Sequence, residues 1–502
     1  MPNPVVIVVG AGNAGLCAAL SAADAGADVT VLERAPMPER GGNSAFTAGA
    51  MRVAYRGIDD LLKLMPDMSA SEQDGSDFGE YPEDAFFADM ATVTESRCDP
   101  DLTHALVTKS LESLQWMRTK GVRFAPTYHR QAFKVDGKFK FWGGLTVEVV
   151  GGGIGLVDAL SAAAERQGVV IRYQHRAERL TVEGGVVRGV WVATPDGQRT
   201  LHLADAVILA SGGFEANAEW RTKYLGPGWD LAKVRGSRFN TGDGIRMALD
   251  IGARPFGNWS GCHAVSWDRN SPDFGDRRVG DGFQKHSYPF GLMINAAGQR
   301  FVDEGADFRN YTYARYGREV LLQPRQFAWQ VFDAKVASLL RDEYRIREVT
   351  KVTAPTLEGL AQKMEGVDAA AFLETVNAFN AAVTHDVPFN PNIKDGRSAR
   401  GITPVKSNWA NALDAPPYEA YMVTCGITFT FGGVAVDAAS AAVLSDDGAA
   451  IPGLYACGEL VGGLFYFNYP GGTGLTAGSV FGRLAGTAAG LHAAAVPASV
   501  SA

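Results

Sequence analysis

The stretch Gly10-Ala11-Gly12-Asn13-Ala14-Gly15, with Glu33 lying 23 residues beyond its first glycine, collects the residue types that bind a dinucleotide. Gly10 permits a tight turn, Gly12 lets backbone N–H groups approach a pyrophosphate, and Gly15 lets a helix pack closely on a strand. Asn13 and Ala14 fall where that helix begins, and its unpaired N–H groups and dipole attract phosphate. Glu33 can accept hydrogen bonds from both ribose hydroxyls, and its charge repels a 2′-phosphate.

The surrounding elements decide how much this spacing means, because a bare GxGxxG is weak. Here Val5 to Val9 is a β-branched run expected of a buried strand, and Leu16 to Ala25 reads as a helix. Gly26-Ala27-Asp28 turns the chain into a second strand, Val29 to Leu32, ending at Glu33. A second glycine-rich turn follows at Arg40-Gly41-Gly42-Asn43-Ser44. Far along the chain, Gly453 to Glu459 reads as another buried strand ending in an acid. Gly474, Leu475 and Thr476 then lead into a helix through Val480 to Ala489, whose start can supply donors to the N1/O2 edge of a reduced flavin. An NAD domain needs no such distant second segment, so FAD is the expected cofactor.

At 502 residues two domains are expected, and 46% hydrophobic with 20% charged residues is the composition of a globular protein. The net charge of -8 argues against nucleic acid or an anionic membrane as partner. No apolar run is long enough to span a bilayer, and the N-terminus lacks a basic region ahead of its apolar stretch. The cysteines Cys17, Cys98, Cys262, Cys425 and Cys457 have no iron–sulfur, zinc or haem spacing, so no metal and a cytoplasmic location are expected.

These motifs, with Ala206 to Phe214 and Gly298-Gln299-Arg300-Phe301-Val302-Asp303-Glu304, resemble the fumarate reductase/succinate dehydrogenase flavoprotein superfamily over essentially the whole chain. Within it the sequence looks most like the tricarballylate dehydrogenase-like group, with 3-ketosteroid Δ1-dehydrogenases more distant. The resemblance implies an α/β fold: a Rossmann-like, glutathione-reductase-type FAD-binding domain with an inserted α+β capping domain. Carried over, residues 1–257 and 416–502 form the FAD domain and 258–415 the cap, including a helical stretch from Leu357 to Val383. It extends the cofactor set to Arg34, Gly152, Gly153, Ala177, Ser211, Gly212, Gly213 and Glu459. Relatives with covalent FAD attach it through a histidine where this chain has Ser44, so the flavin is expected to be non-covalent.

The resemblance also implies chemistry on CH–CH bonds, with hydride passing to flavin N5 and a proton to a protein group. Arg309 falls at the proton-shuttling arginine, one residue out of register, with Tyr311 and Tyr313 as rivals. Asp303, Glu304 and Asp307 are the acids nearest in sequence to relay its proton. His263 falls at a substrate-contacting histidine. The departures bear on substrate: Thr428-Phe429 replaces a histidine pair, and Tyr469 stands near a lost carboxylate-clamping arginine. Loss of that clamp disfavours fumarate or succinate. Phe429, Phe431, Phe465, Tyr466, Phe467 and Tyr469 suggest a more apolar pocket, with Tyr469 polarising a ketone.

The reading is therefore an FAD-dependent dehydrogenase that desaturates a C–C bond next to a ketone or carboxylate. Its substrate is a cyclic keto compound or a tricarballylate-like acid. Electrons leave to a quinone, an electron-transfer protein or oxygen. A reductase working in the opposite direction on an enone or enoate, and a flavin electron carrier without turnover, stand as alternatives. A pyridine-nucleotide-dependent flavoenzyme is a further one, but it needs a second strand–GxGxxG–helix unit, which Gly151 to Gly155 does not supply.

Overall fold

Val5–Val9 forms the strand its β-branched run predicts, with Val6 and Val8 fully buried. It pairs in parallel with Asp28–Leu32 on one side and Ala206–Leu209 on the other. Val170–Arg172 extends the sheet beyond the former, and Ala450–Ala456 beyond the latter. Ala442–Leu444 closes that edge antiparallel, which makes a six-stranded sheet. The structure is a computed structural model and describes residues 3–141 and 143–495. The ends of the expected FAD domain, 1–2 and 496–502, lie outside the described residues.

Two helices cross over this sheet, Asn13–Asp24 after the first strand and Gly152–Arg166 before Val170–Arg172. A third, Thr473–Ala495, packs along Asn13–Asp24 through a stripe of glycines four residues apart: Gly478, Gly482, Gly486 and Gly490. A Cβ on Gly482 would lie 2.5 Å from the Ala14 carbonyl oxygen, and one on Gly486 2.2 Å from that of Ala18. Only glycine allows this backbone approach, and it seats the start of the last helix beside the start of the first. A three-stranded antiparallel sheet, Arg176–Glu183, Val186–Ala193 and Arg199–Leu203, stands beside the main one.

A second large sheet is built around the 17-residue strand Tyr418–Val434. Pro255–Asp268, Ala328–Phe332 and Lys351–Ala354 pair with it antiparallel, and Lys233–Val234 in parallel. Leu292–Asn295 pairs with Ala328–Phe332. Pro255–Asp268 sets His263 opposite Phe429, with register shifts on both sides of that pair. The strand runs on to Val434, which bridges to Val461, so this sheet is tied to the nucleotide-binding part by continuous chain rather than by a loose linker.

The helical stretch expected over Leu357 to Val383 is two helices, Leu357–Lys363 and Ala369–Ala382. Between them Gly366 adopts a left-handed backbone (φ +80), which an α-helix cannot continue through.

Candidate active site

Both glycine-rich turns and the second large sheet open onto one cavity, with about 1900 Å³ of empty space counting its solvent-facing mouth. Its lining runs from the Gly10 turn through Glu33 and Ser44 to His263, Arg309 and Tyr469.

At one end, Gly10 takes φ +109, and its missing Cβ would lie 2.5 Å from the Ala210 carbonyl oxygen. A Cβ on Gly15 would lie 2.0 Å from the Gly10 carbonyl oxygen, so Gly15 is a packing residue and does not line the cavity. Gly12, Asn13, Ala14, Glu33 and Arg34 do line it. Glu33 accepts from the Ala11 N–H at 2.9 Å and the Ala35 N–H at 2.7 Å, which fixes its carboxyl at the end of the second strand. Burial pushes its pKa up, and those backbone donors pull against that. Arg34 donates to Thr241 Oγ1 at 2.7 Å and pairs with Asp243 at 3.1 Å.

Gly42, Asn43, Ser44, Ala177, Ser211, Gly212, Gly474 and Leu475 line the same cavity. Ser44 Oγ accepts from the Asn13 N–H at 3.0 Å, tying the second glycine turn to the first helix. Gly41, Gly152, Gly153, Gly213 and Thr476 lie behind this wall. Gly41 packs on Val157, and Gly153 donates its N–H to the Thr47 carbonyl at 3.0 Å. Gly152 lies against the backbone of Thr47 and Ala48, and the missing Cβ of Gly213 leaves space for Glu459 Oε1. Thr476 donates its hydroxyl to the Arg52 carbonyl at 2.7 Å.

The residues fit FAD on an observation of their own: Ser211 Oγ is buried in the cavity wall with no partner, and the glycine cradle leaves backbone space that any Cβ would fill. Glu459 also lines the cavity, in hydrogen-bond contact with Glu215. Glu215 accepts from Asn43 and Asn240 amides, both at 2.6 Å. Burial and the adjacent Glu459 carboxylate hold Glu215 well above the usual carboxylate range, so the pair retains a proton. The sequence reading missed Glu215, which the chain places beside Glu459 only through the sheet.

At the other end stand His263, Arg309 and Tyr469, which line the cavity together. Tyr311 does not: its hydroxyl donates to Asp89 at 2.8 Å, outside the cavity beside the buried Arg52. The rival Tyr313 takes its place, with its hydroxyl bonded to that of Tyr469. The reason is helical period. Arg309–Leu321 is one helix, so Arg309 and Tyr313 share a face and Tyr311 looks away. Reading residues 309–321 as a helix would have made that choice from sequence.

The acids expected to serve Arg309 are elsewhere too. Glu304 pairs with Arg300 and accepts the Met293 N–H, Asp303 accepts from Gly305 and Ser407, and Asp307 pairs with Lys394. These residues precede the helix in a turn that points their side chains away from Arg309. Arg309 instead donates to the Arg130 carbonyl and Gln131 Oε1, both at 2.8 Å, and faces His286 Nδ1 at 3.5 Å. It makes no ion pair among the described residues, and burial lowers its pKa.

His263 is 1% exposed with both ring nitrogens unpartnered, and His286 Nε2 is likewise unpartnered. Burial, reinforced by nearby guanidiniums, pushes both imidazole pKa values well down, so both are neutral at neutral pH. Their rings box the phenols: His263 lies 5.0 Å from Tyr313 and 4.8 Å from Tyr469, and His286 4.8 Å from Tyr313. Phe429 and Phe465 complete the box at 5.1 and 5.4 Å from Tyr469. Phe431 also lines the cavity, whereas Tyr466 and the 41% exposed Phe467 do not. Arg235, Asp281, Gln284, His286 and Arg130 are cavity residues the sequence reading missed, since no local motif marks them.

Among the described residues no helix is long and apolar enough to cross a membrane, and no three His, Cys, Asp or Glu side chains gather as metal ligands.

The FAD binding domain family matches residues 5–475. A probable fumarate reductase, Ifc3, of Shewanella frigidimarina is 30% identical, covering 97% of this chain and 75% of that protein. A 4-oxocyclohexanecarboxylate 2-dehydrogenase of Sinomonas cyclohexanicum is 28% identical, covering 99% and 95%. The solved open conformation of a flavocytochrome c3 fumarate reductase superposes with a TM-score of 0.72 at 27% identity, covering 98% and 78%. A match running from the first strand to the glycine turn at the far end, over a cradle shaped for the cofactor, settles the assignment: the chain belongs to the FAD binding domain family, and it is an FAD-dependent oxidoreductase acting on CH–CH bonds.

Proposed function

We propose that the protein desaturates a C–C bond α,β to a ketone or carboxylate, on a cyclic keto compound or a tricarballylate-like acid. The observation that carries this reading is the Tyr313–Tyr469 hydroxyl pair inside an aromatic box with neutral histidines. The relative named for oxidising 4-oxocyclohexanecarboxylate fits a keto substrate. Bound FAD supplies the two-electron acceptor for the hydride leaving the β-carbon.

The protein's part is to acidify and remove the α-proton. On substrate binding the Tyr469 O–H turns from the Tyr313 oxygen to the substrate oxygen and stabilises the enolate as it forms. Tyr313, ionised, accepts the α-proton at its hydroxyl oxygen. Burial pushes its pKa up, while Tyr469, Arg235 and Arg309 pull it down. Arg309, which donates to the Arg130 carbonyl and Gln131 Oε1 and feels the buried Glu343 without an ion pair, holds positive charge over that step. Phe429 and Phe465 keep water from the enolate.

The same residues, run backwards, would reduce an enone or enoate, a second reading favoured by the fumarate reductases among the relatives. We further propose an FAD domain of residues 1–257 and 416–502, Rossmann-like, with a cap at 258–415. A separate hydrophobic core, in which Leu292, Phe327, Phe372, Phe379 and Leu413 pack together, supports the cap. The strand Tyr418–Val434 starts just after the proposed boundary and serves both parts. The flavin is held without a covalent bond, and its electrons pass to a quinone, an electron-transfer protein or oxygen. The unpaired state of all five cysteines fits a reducing compartment such as the cytoplasm.

The test is anaerobic bleaching of the flavin absorbance by a panel of succinate, tricarballylate, cyclohexanone, 4-oxocyclohexanecarboxylate and a 3-ketosteroid. Bleaching by an oxo compound supports the reading. Bleaching by succinate alone overturns it. No bleaching by any donor, with reoxidation of reduced enzyme by an enone or enoate, establishes the reverse direction.

A further inference from the structure

We infer that the substrate carries a carboxylate as well as its oxo group, making it a small oxo acid, and that Arg235 is the residue that holds the carboxylate. The oxo half rests on the proposed desaturase reading. The carboxylate half does not.

Arg235 follows the short strand Lys233–Val234, and its N–H bonds the Ile427 carbonyl at 2.8 Å, which turns its side chain into the cavity beside Thr428 and Phe429. The guanidinium is held from behind. Its Nε donates to Asp281 Oδ1 at 2.8 Å and its Nη2 to the same oxygen, while Gln284 and Arg130 hold the other oxygen of Asp281. On the cavity side Nη1 has only a long 3.3 Å contact to Thr428 Oγ1. Of five guanidinium N–H groups, that leaves donors facing the cavity in a fixed orientation.

Charge points the same way. Arg130, Arg235 and Arg309 line this end of the cavity with Asp281 as the carboxylate in its lining. Behind it Glu343 acts on Arg130 and Arg309, and Glu148 on Arg130, together with a fourth arginine, Arg341, and both histidines here are neutral. Arg235 is 6% exposed, and buried positive charge in excess calls for an anion. Arg235 stands at the substrate end of the cavity, since its Thr428 contact adjoins Phe429, which packs on His263 and Tyr469. One ring-sized molecule can therefore place an oxo oxygen at the tyrosines and a carboxylate at Arg235. A carboxylate matches the planar guanidinium where an amide or ester does not.

The FAD-bound protein titrated with 4-hydroxybenzoate, 4-hydroxybenzamide and phenol, followed by the flavin absorbance change, tests this without turnover. The benzoate is expected to bind about 10- to 100-fold tighter than the other two, the range of one charge-assisted hydrogen bond. Arg235→Met combined with Asp281→Asn removes the pair without stranding a carboxylate, and is expected to bring the three affinities together while phenol binding persists. Arg235→Lys is expected to restore part of the preference. Equal binding of all three ligands by the wild type overturns the carboxylate anchor and leaves the desaturase reading standing. A preference that survives in the double variant overturns the assignment to Arg235. Carboxylate-dependent binding with no bleaching by any oxo compound supports the anchor and removes the desaturase reading, so the two failures are distinct. Should the double variant not fold, the wild-type series and Arg235→Lys still decide.

Discussion

Replacing Tyr469 by Phe removes one oxygen from the centre of the proposed chemistry and little else. The ring stays packed among His263, Phe429 and Phe465, and only the bond to the Tyr313 hydroxyl is lost. In the folded protein this strands the Tyr313 hydroxyl, at a cost of about 1–3 kcal/mol before rearrangement. Because His263 offers two unpartnered ring nitrogens beside it, the lower end applies, and the variant should fold and retain FAD. In the reaction the lost donor is one aimed at a developing oxyanion in a buried site, where a single donor is worth about 2.7–4 kcal/mol, or 10²–10³ in rate. Anaerobic stopped-flow measurement of flavin reduction at saturating oxo substrate reads this directly. A fall of that size with an unchanged flavin spectrum is expected. Tyr313→Phe should lose at least as much, and the double variant far less than the product of the two, because the phenols act as a unit. Reduction by Tyr469→Phe within about threefold of wild type, under 1 kcal/mol, would refute the assignment of the donor.

Four other outcomes follow from the same geometry. Reduction should accelerate as pH rises, approaching tenfold per unit, since the Tyr313 base form is scarce at neutral pH, and Tyr313→Phe should abolish that slope. The two depressed histidines stay neutral when folded and protonate when unfolded, so stability should be constant above about pH 6.5 and fall below it by at most about 1.4 kcal/mol per unit per histidine; His263→Asn should flatten the Tm profile there. Gly486→Val sets a Cβ 2.2 Å from the Ala18 carbonyl oxygen, and should cost about 1–3 kcal/mol or more and lower both Tm and FAD retention. Acid precipitation should leave the flavin in the supernatant as free FAD, and colour remaining in the pellet would show a covalent link.

The nucleotide end of this protein was written in consecutive residues, because its parts act through backbone geometry. Gly10, Gly12 and Gly15 need no distant partner to specify a strand, a tight turn and a helix start, and Glu33 completes the unit one strand later. The glycine stripe from Gly478 to Gly490 went unread in the sequence, because the helix it packs on, Asn13–Asp24, lies at the other end of the chain. At the substrate end, side chains act across space and their order in sequence says little. Asp303, Glu304 and Asp307 are near Arg309 in sequence but bond elsewhere, while Arg130 from the short helix Tyr128–Gln131, Arg235 after Lys233–Val234, and Asp281 and His286 from one loop converge on the cavity. Two residues, about half a helical turn, separate the tyrosine that lines the cavity from the one that faces away from it. The composition and motifs by themselves determined that an FAD cradle forms. Only the tertiary structure decided what faces it, because a buried charge or hydroxyl takes its role from the groups brought against it, and those come together only when the second sheet closes around Tyr418–Val434.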